Sequence, residues 1–196
     1  MKHPFHQYIQ QYTDISSEEW QAIAACLERT IYPKDSILLE SGAICRKVYF
    51  LESGLLRYFV WRDGEEKTKY FTQPPYCFTA QRSLNQEIPS PDSIQALEDS
   101  VVWEMSRKDA FELFRYPGWS EFVRLLVQEV QFFTEQILEA LQTETAESRY
   151  IRMIEEANPL LQKVPLKYIA SYLGIAPQSL SRIRKRYLAA QADDRS

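Results

Sequence analysis

The spacing of apolar residues changes period once along this chain, and that change restricts the fold more than any single motif does. From about Ile31 to Trp103 the apolar residues come in short runs rich in Tyr, Phe, Val and Ile, broken by Pro33, Gly42, Gly54, Gly64, Pro74-Pro75 and Pro89. Such runs between turn-forming residues predict short strands. Val48 to Trp61, then Asp63-Gly64, then Lys67 to Phe71 read as consecutive strands. The Asp-Gly pair suits the positive φ angles of a two-residue hairpin. Several hairpins of this kind predict a sandwich or a barrel-like roll. Past Ser106 the period becomes helical, first over Asp109 to Phe114 and then in a long run from Pro117-Gly118. Ahead of the strands, Ser16 and Glu19 have capping-box spacing and Ile15 and Trp20 staple spacing, so a helix starts there.

Within the long run, Val123, Val127, Val130, Thr134, Ile137 and Leu141 are spaced 4, 3, 4, 3 and 4 apart. That is the seam of a helix paired with a second copy of itself. Phe122, Leu125, Leu126, Phe132 and Phe133 supply a neighbouring apolar surface for the strand-rich body. The alternative is that both surfaces pack inside one monomer. The polar stretch Thr143 to Ser148 predicts a hinge, and Asn158-Pro159 stops the next helix, because proline disfavours helical geometry in the residue before it. The expected units are residues 1–116, an N-terminal helix with the roll; 117–142, the seam helix; and 143–196.

Charge is unevenly distributed. The formal net charge is −4, yet residues 157–192 hold six basic residues (Lys163, Lys167, Arg182, Arg184, Lys185, Arg186) and no Asp or Glu. A compact cationic unit on an acidic body is what a phosphate-binding module on a regulatory body requires. Hydrophobic residues make up 45% of the chain, enough to build a packed core. No stretch approaches the length of a membrane span, and the N-terminus lacks a secretory apolar segment, so a cytoplasmic protein is expected. Cys26, Cys45 and Cys77 are far apart and odd in number, which predicts three buried free thiols and no metal knuckle. His3 and His6, the two histidines, fall where a frayed terminus is expected. Neither a nucleophile–base pair, nor metal-ligand spacing, nor a glycine-rich phosphate loop is present, which argues against an enzyme, a metal or a cofactor.

Val164 to Arg186 meets the packing requirements of a helix-turn-helix. Ala170 is small where the second helix crosses, and Gly174 sits where a left-handed turn favours a residue without Cβ. Ile169, Leu173, Ile175, Leu180 and Ile183 supply the apolar faces. Pro177 suits the first turn of a second helix running to about Leu188, with residues 189–196 expected to be a disordered end.

Together with the seam helix and the landmarks Val48 to Gly54 and Asp63-Gly64, this segment resembles the Crp/Fnr family of bacterial transcription regulators. The resemblance covers nearly the whole chain, and its most specific stretch is Ile169 to Lys185. It implies an α+β fold: an N-terminal antiparallel double-stranded β-roll of cyclic-nucleotide-binding type, a long dimerisation helix, and a small C-terminal helical helix-turn-helix domain. It implies a homodimer acting on double-stranded DNA, with RNA polymerase as a candidate partner and a small-molecule effector of unknown identity. Positions that read bases in the catabolite-activator branch correspond to Pro177, Gln178 and Arg182. Arg182 can pair with guanine and Gln178 with adenine. Ser179, Ser181, Arg184, Lys185 and Arg186 are candidates for phosphate contacts, and Lys185 and Arg186 cannot both face the duplex with Arg182.

At the effector site the chain departs from the family pattern. The candidate pocket residues are Phe78, Thr79, Arg82, Ser83, Asp92 and Ser93, but Thr79-Ala80 stands where a Gly-Glu pair is expected. Asp92 stands in place of the phosphate-binding arginine, beside a retained Ser93. At an effective dielectric of ~20, like charges ~4 Å apart cost about 4 kcal/mol, so cyclic AMP is not the expected effector. Two rivals remain: a small-molecule-binding roll whose helix-turn-helix has lost DNA affinity, and a β-roll enzyme.

Overall fold

The computed structural model describes residues 3–156 and 158–193. Ser16 caps helix α2 (Ser17–Ala25) through the anticipated reciprocal bonds with Glu19. Glu19 does more than cap, because its second oxygen accepts the Gly118 N–H at 2.8 Å at the start of α5 (Pro117–Thr143). The carboxylate thereby ties two helix N-termini, and these backbone donors hold its pKa below the usual range.

The strand-rich region forms two four-stranded antiparallel sheets. One has the order β1 (Glu28–Tyr32), β8 (Ser100–Ser106), β3 (Lys47–Ser53), β6 (Tyr76–Phe78); the other has β2 (Ile37–Leu39), β7 (Asp92–Ala96), β4 (Leu56–Arg62), β5 (Glu65–Thr72). The β4–β5 hairpin closes at Asp63-Gly64, with Arg62 paired to Glu65 and both turn residues at positive φ. At Gly54 a Cβ would lie 2.6 Å from the Ser100 Cα, so the β3–β4 turn crosses the start of β8 with no room for a side chain. Between the sheets, Tyr49, Leu51, Leu56, Tyr58, Ile94 and Val102 form the roll's interior.

Helices cover the outer face of the first sheet. Phe50, Cys77 and Met105 point outward into a second core built with Ile23, Trp119 and Phe122. Helix α1 (Pro4–Ile9) joins it through Phe5, Tyr8 and Ile9. The terminus anticipated to fray is therefore docked from His3 onward: His3 caps α1, accepting the Phe5 N–H at 3.2 Å, and His6 stacks on Trp20. Apolar spacing at positions 5, 8 and 9 is helical, and burying those side chains anchors the segment. All three cysteines are free; Cys45 and Cys77 are buried, whereas Cys26, at the end of α2, is only half-buried.

Helix α3 (Gln81–Gln86) lies between β6 and β7 in the chain, and β8 is followed by α4 (Arg107–Glu112) and a single 3-10 turn (Leu113–Arg115). Helix α5 spans 27 residues, ~40 Å at 1.5 Å per residue. Trp119 and Phe122 are buried and Leu126 is half-buried, but Phe132 and Phe133 are 52% and 49% exposed. The anticipated burial of those two phenylalanines against the body is corrected: both are half exposed, although Phe133 still borders a small recess with Tyr70, Phe71 and Tyr76 of the roll. After an extended Glu144, α6 (Ala146–Glu155), α7 (Leu160–Lys163), α8 (Leu166–Leu173) and α9 (Pro177–Asp193) complete the chain. Helix α9 continues beyond Leu188, so residues 189–193 are helical and not a disordered end; 194–196 lie outside the described residues. No described helix is long and apolar enough to cross a membrane.

Candidate nucleic-acid interface and effector cavity

Gly174 takes φ +76° and closes α8, with the Ile175 N–H returning to the Ala170 carbonyl at 3.0 Å. Such a left-handed cap satisfies end carbonyls and redirects the chain within two residues. Arg149 from α6 donates to the Leu173 carbonyl at 2.9 Å, occupying another end group. Ala170, Ile169 and Leu180 are fully buried, and Leu173 and Ile183 nearly so. Pro177 opens α9, where it forfeits no internal bond.

Burial of Leu180 and Ile183 orients the rest of α9. Gln178, Ser181, Arg182 and Lys185 are exposed along the opposite arc. The Ser181 hydroxyl donates to the Pro177 carbonyl at 3.1 Å, and Ser179 is half-buried at the edge of the arc. Arg186, one residue round the helix from Lys185, turns aside and pairs with Glu147 of α6 at 2.7 Å. Arg184 is exposed on the other flank.

Helix α8 also docks on the roll, a contact that sequence reasoning did not reveal. The Ser171 hydroxyl accepts the Thr68 N–H at 2.9 Å and donates to the Glu66 carbonyl at 3.2 Å. Arg57, with no exposed surface, pairs with Glu66 and lies between Phe59 (4.2 Å) and Tyr168 of α8 (3.7 Å). Leu55 and Leu97 of the roll join the core of the helix-turn-helix. Arg57 alternates with apolar neighbours on β4, the one hint of an outward-facing cation.

The six candidate effector residues do not converge on one cavity. Phe78 and Thr79 do line a cavity of ≈ 310 Å³. The Ser83 hydroxyl is buried, donating to the Ile88 carbonyl and accepting the Cys45 N–H at 2.9 Å. Arg82 is exposed and bonded to Gln86 at 3.3 Å. Asp92 is engaged by Lys69 at 2.9 Å, and Ser93 accepts the Ser41 N–H at 3.0 Å. The Asp92–Lys69 pair carries no net charge. Because a lysine satisfies the carboxylate, its repulsion is smaller than that of the isolated charge expected from sequence.

The cavity lies where the free edges β5 and β6 of the two sheets meet α5. Tyr58, Tyr70 and Phe78 line it from the roll, Ala110 and Phe111 from α4, and Val123, Leu126, Val127 and Val130 from α5. Tyr58 and Tyr70 stack at 4.3 Å, and burial raises both phenols well above their usual pKa. Burial likewise pushes the Cys77 thiol on the wall up to about 12. Three of the six heptad positions thus face the chain's own cavity, while Thr134 and Leu141 are exposed and Ile137 half-buried. Among the described residues no group of three or more His, Cys, Asp and Glu is placed to hold a metal ion.

Residues 29–116 match the cyclic nucleotide-binding domain family. No curated protein compared with the chain matches it. Among solved structures, the Thermus thermophilus catabolite activator protein is 22% identical, covers 93% of this chain and 86% of its own, and superposes with a TM-score of 0.57. A protein described as a crp/fnr-family transcriptional regulator from Eubacterium rectale is 17% identical over 90% of this chain and 85% of its own, with a TM-score of 0.74. The c-di-GMP-responsive global regulator CLP of Xanthomonas campestris is 14% identical over 90% and 93%, with a TM-score of 0.69. At these identities the likeness is one of fold.

Proposed function

We propose that this chain, which has the fold of the Crp/Fnr-family transcription regulators and a cyclic nucleotide-binding domain over residues 29–116, is a sequence-specific DNA-binding regulator acting as a homodimer. The observation that carries this reading is the arc of α9: Gln178, Ser181, Arg182 and Lys185 exposed together on a helix whose opposite side is sealed by Leu180 and Ile183. A helix held this way presents side chains to the major groove with its own packing undisturbed. Its cations sit in a segment of six basic and no acidic residues, on a body that is otherwise acidic. Two-fold pairing through α5 would set half-site centres one helical turn, ~34 Å, apart.

The effector in this reading is not cyclic AMP. Support comes from Asp92, which holds Lys69 in an internal pair, and from Arg82, which is turned to Gln86. Anisotropy titrations on palindromic duplexes test the DNA reading. Affinity is expected to fall steeply between 50 and 200 mM salt, roughly a thousandfold for ~6 phosphate contacts. A flat salt response would leave instead a ligand-binding roll whose reader no longer engages DNA.

A further inference from the structure

The cavity between the open edge of the roll and α5 carries a narrower statement about the effector, which rests on the regulator reading above. We propose that it binds an uncharged, largely aromatic small molecule about the size of two fused rings plus a substituent, and that this molecule sits directly against the seam helix.

Size and shape come first. A volume of ≈ 310 Å³ falls at the lower end of small-ligand cavities, which start near ~300 Å³. The walls present the stacked Tyr58–Tyr70 pair, Phe78, Trp119 and Phe122, ring surfaces that suit a flat apolar guest.

Charge excludes the alternatives. None of the described residues lining the cavity is Lys, Arg, His, Asp or Glu. An ionised guest would leave water and find no counter-charge, a penalty of several kcal/mol that an apolar lining cannot offset. The cations next to lining residues are already engaged: Lys69 is held by Asp92, and Arg107 donates to the Leu84 carbonyl at 2.7 Å and lies over the Phe111 ring. The polar groups available for orientation are neutral: the Gln81 and Asn85 amides, and the Tyr58 hydroxyl, which is buried on this wall without a hydrogen bond of good geometry. The Thr79 hydroxyl is already used, donating to the Lys47 carbonyl at 2.9 Å.

Position gives the consequence. Val123, Val127 and Val130 belong both to the cavity wall and to the heptad spacing of α5. A guest that fills the space presses on the helix that leads through Glu144 to the reader, so occupancy and the placement of α9 become linked.

N-Phenyl-1-naphthylamine, uncharged and fluorescent in apolar surroundings, is a suitable probe for the full chain. Expected is saturable binding of one probe per chain, undiminished by millimolar cyclic AMP. Filling the space from opposite walls with Ala110→Leu or Val127→Phe should weaken binding at least tenfold, with far-UV circular dichroism unchanged. Val127 is 43% exposed, so its variant tolerates the larger ring if Ala110→Leu does not fold. Displacement by cyclic AMP, non-saturable emission, or equal binding by the filled variants would overturn the proposal. Expulsion of the probe on self-association would overturn it too, by assigning the recess to the partner's helix. DNA affinity is read separately: loss of probe binding with salt-sensitive DNA binding intact removes only the ligand claim, and the converse removes only the regulator reading.

Discussion

Glu19 links two levels of structure through one carboxylate. It accepts N–H groups from Ser16 (2.9 Å) and Gly118 (2.8 Å), and a Cβ at Gly118 would come within 3.0 Å of it. Its pKa is held down by these bonds to the backbone N–H groups of Ser16 and Gly118. A depressed carboxylate stabilises the fold fully above its unfolded pKa, ~4.3, and loses that contribution as pH falls through the folded value. Glu19→Gln should therefore lower the Tm at pH 7, with the gap to wild type closing below about pH 4. A pH-independent gap would mean that shape rather than charge holds the two helix starts. Arg182 and Lys185 make a contrasting pair on α9. With Arg182 reaching guanine, Arg182→Ala should cost ~1–3 kcal/mol on the preferred duplex and relax base preference. Lys185→Ala should weaken all duplexes alike and reduce the salt slope by about one. Competition assays on scrambled duplexes distinguish them, and the reverse pattern would exchange their roles.

Among elements, α5 shows how one stripe of side chains divides between two uses. Its N-terminal turns bury Trp119 and Phe122 in the body, while Val127, Leu138 and Leu141 are 43–54% exposed. A continuous heptad pattern was readable from spacing alone. That its first half faces the chain's own cavity was not, because the partner surface comes from Tyr70, Tyr76 and Phe78, some fifty residues away in sequence. With pairing through the second half, Ile137→Asp should convert a dimer to a monomer in light scattering, leaving circular dichroism unchanged and lowering DNA affinity at least tenfold. A dimer that survives this change would place the interface elsewhere. Local signals fared differently by kind. The capping box at Ser16, the Asp63-Gly64 hairpin and the Gly174 turn each depend on a few adjacent residues, and each appears where spacing placed it. Helix α1 was missed although Phe5, Tyr8 and Ile9 carried the signal; a short segment near a terminus folds only because a core is there to receive it.

Across the whole molecule, the joint between the roll and the helix-turn-helix is the least expected feature. Arg57 is sealed between Phe59 and Tyr168 with Glu66 as its partner, and its Nε and Nη1 groups make no hydrogen bond among the described residues. A cation buried this way draws much of its compensation from ring faces. A double-mutant cycle with Arg57→Met and Tyr168→Leu should give a coupling of ~1–2 kcal/mol in denaturant unfolding. A value near zero would mean that α8 rests on the roll through Ser171 and the apolar contacts alone.

These features sort by how far apart in the chain their causes lie. Element types, turns, caps and the cationic character of the C-terminal segment follow from residues within a turn or two of one another, and they can be read directly from the amino-acid order. The partner of Asp92, the burial of Arg57, the docking of α1 and the apolar cavity under α5 each depend on segments more than twenty residues apart or on a surface assembled from several elements. Side-chain periodicity states which face of an element is apolar but not what will cover it; that depends on long-range packing, in which every choice of neighbour excludes another.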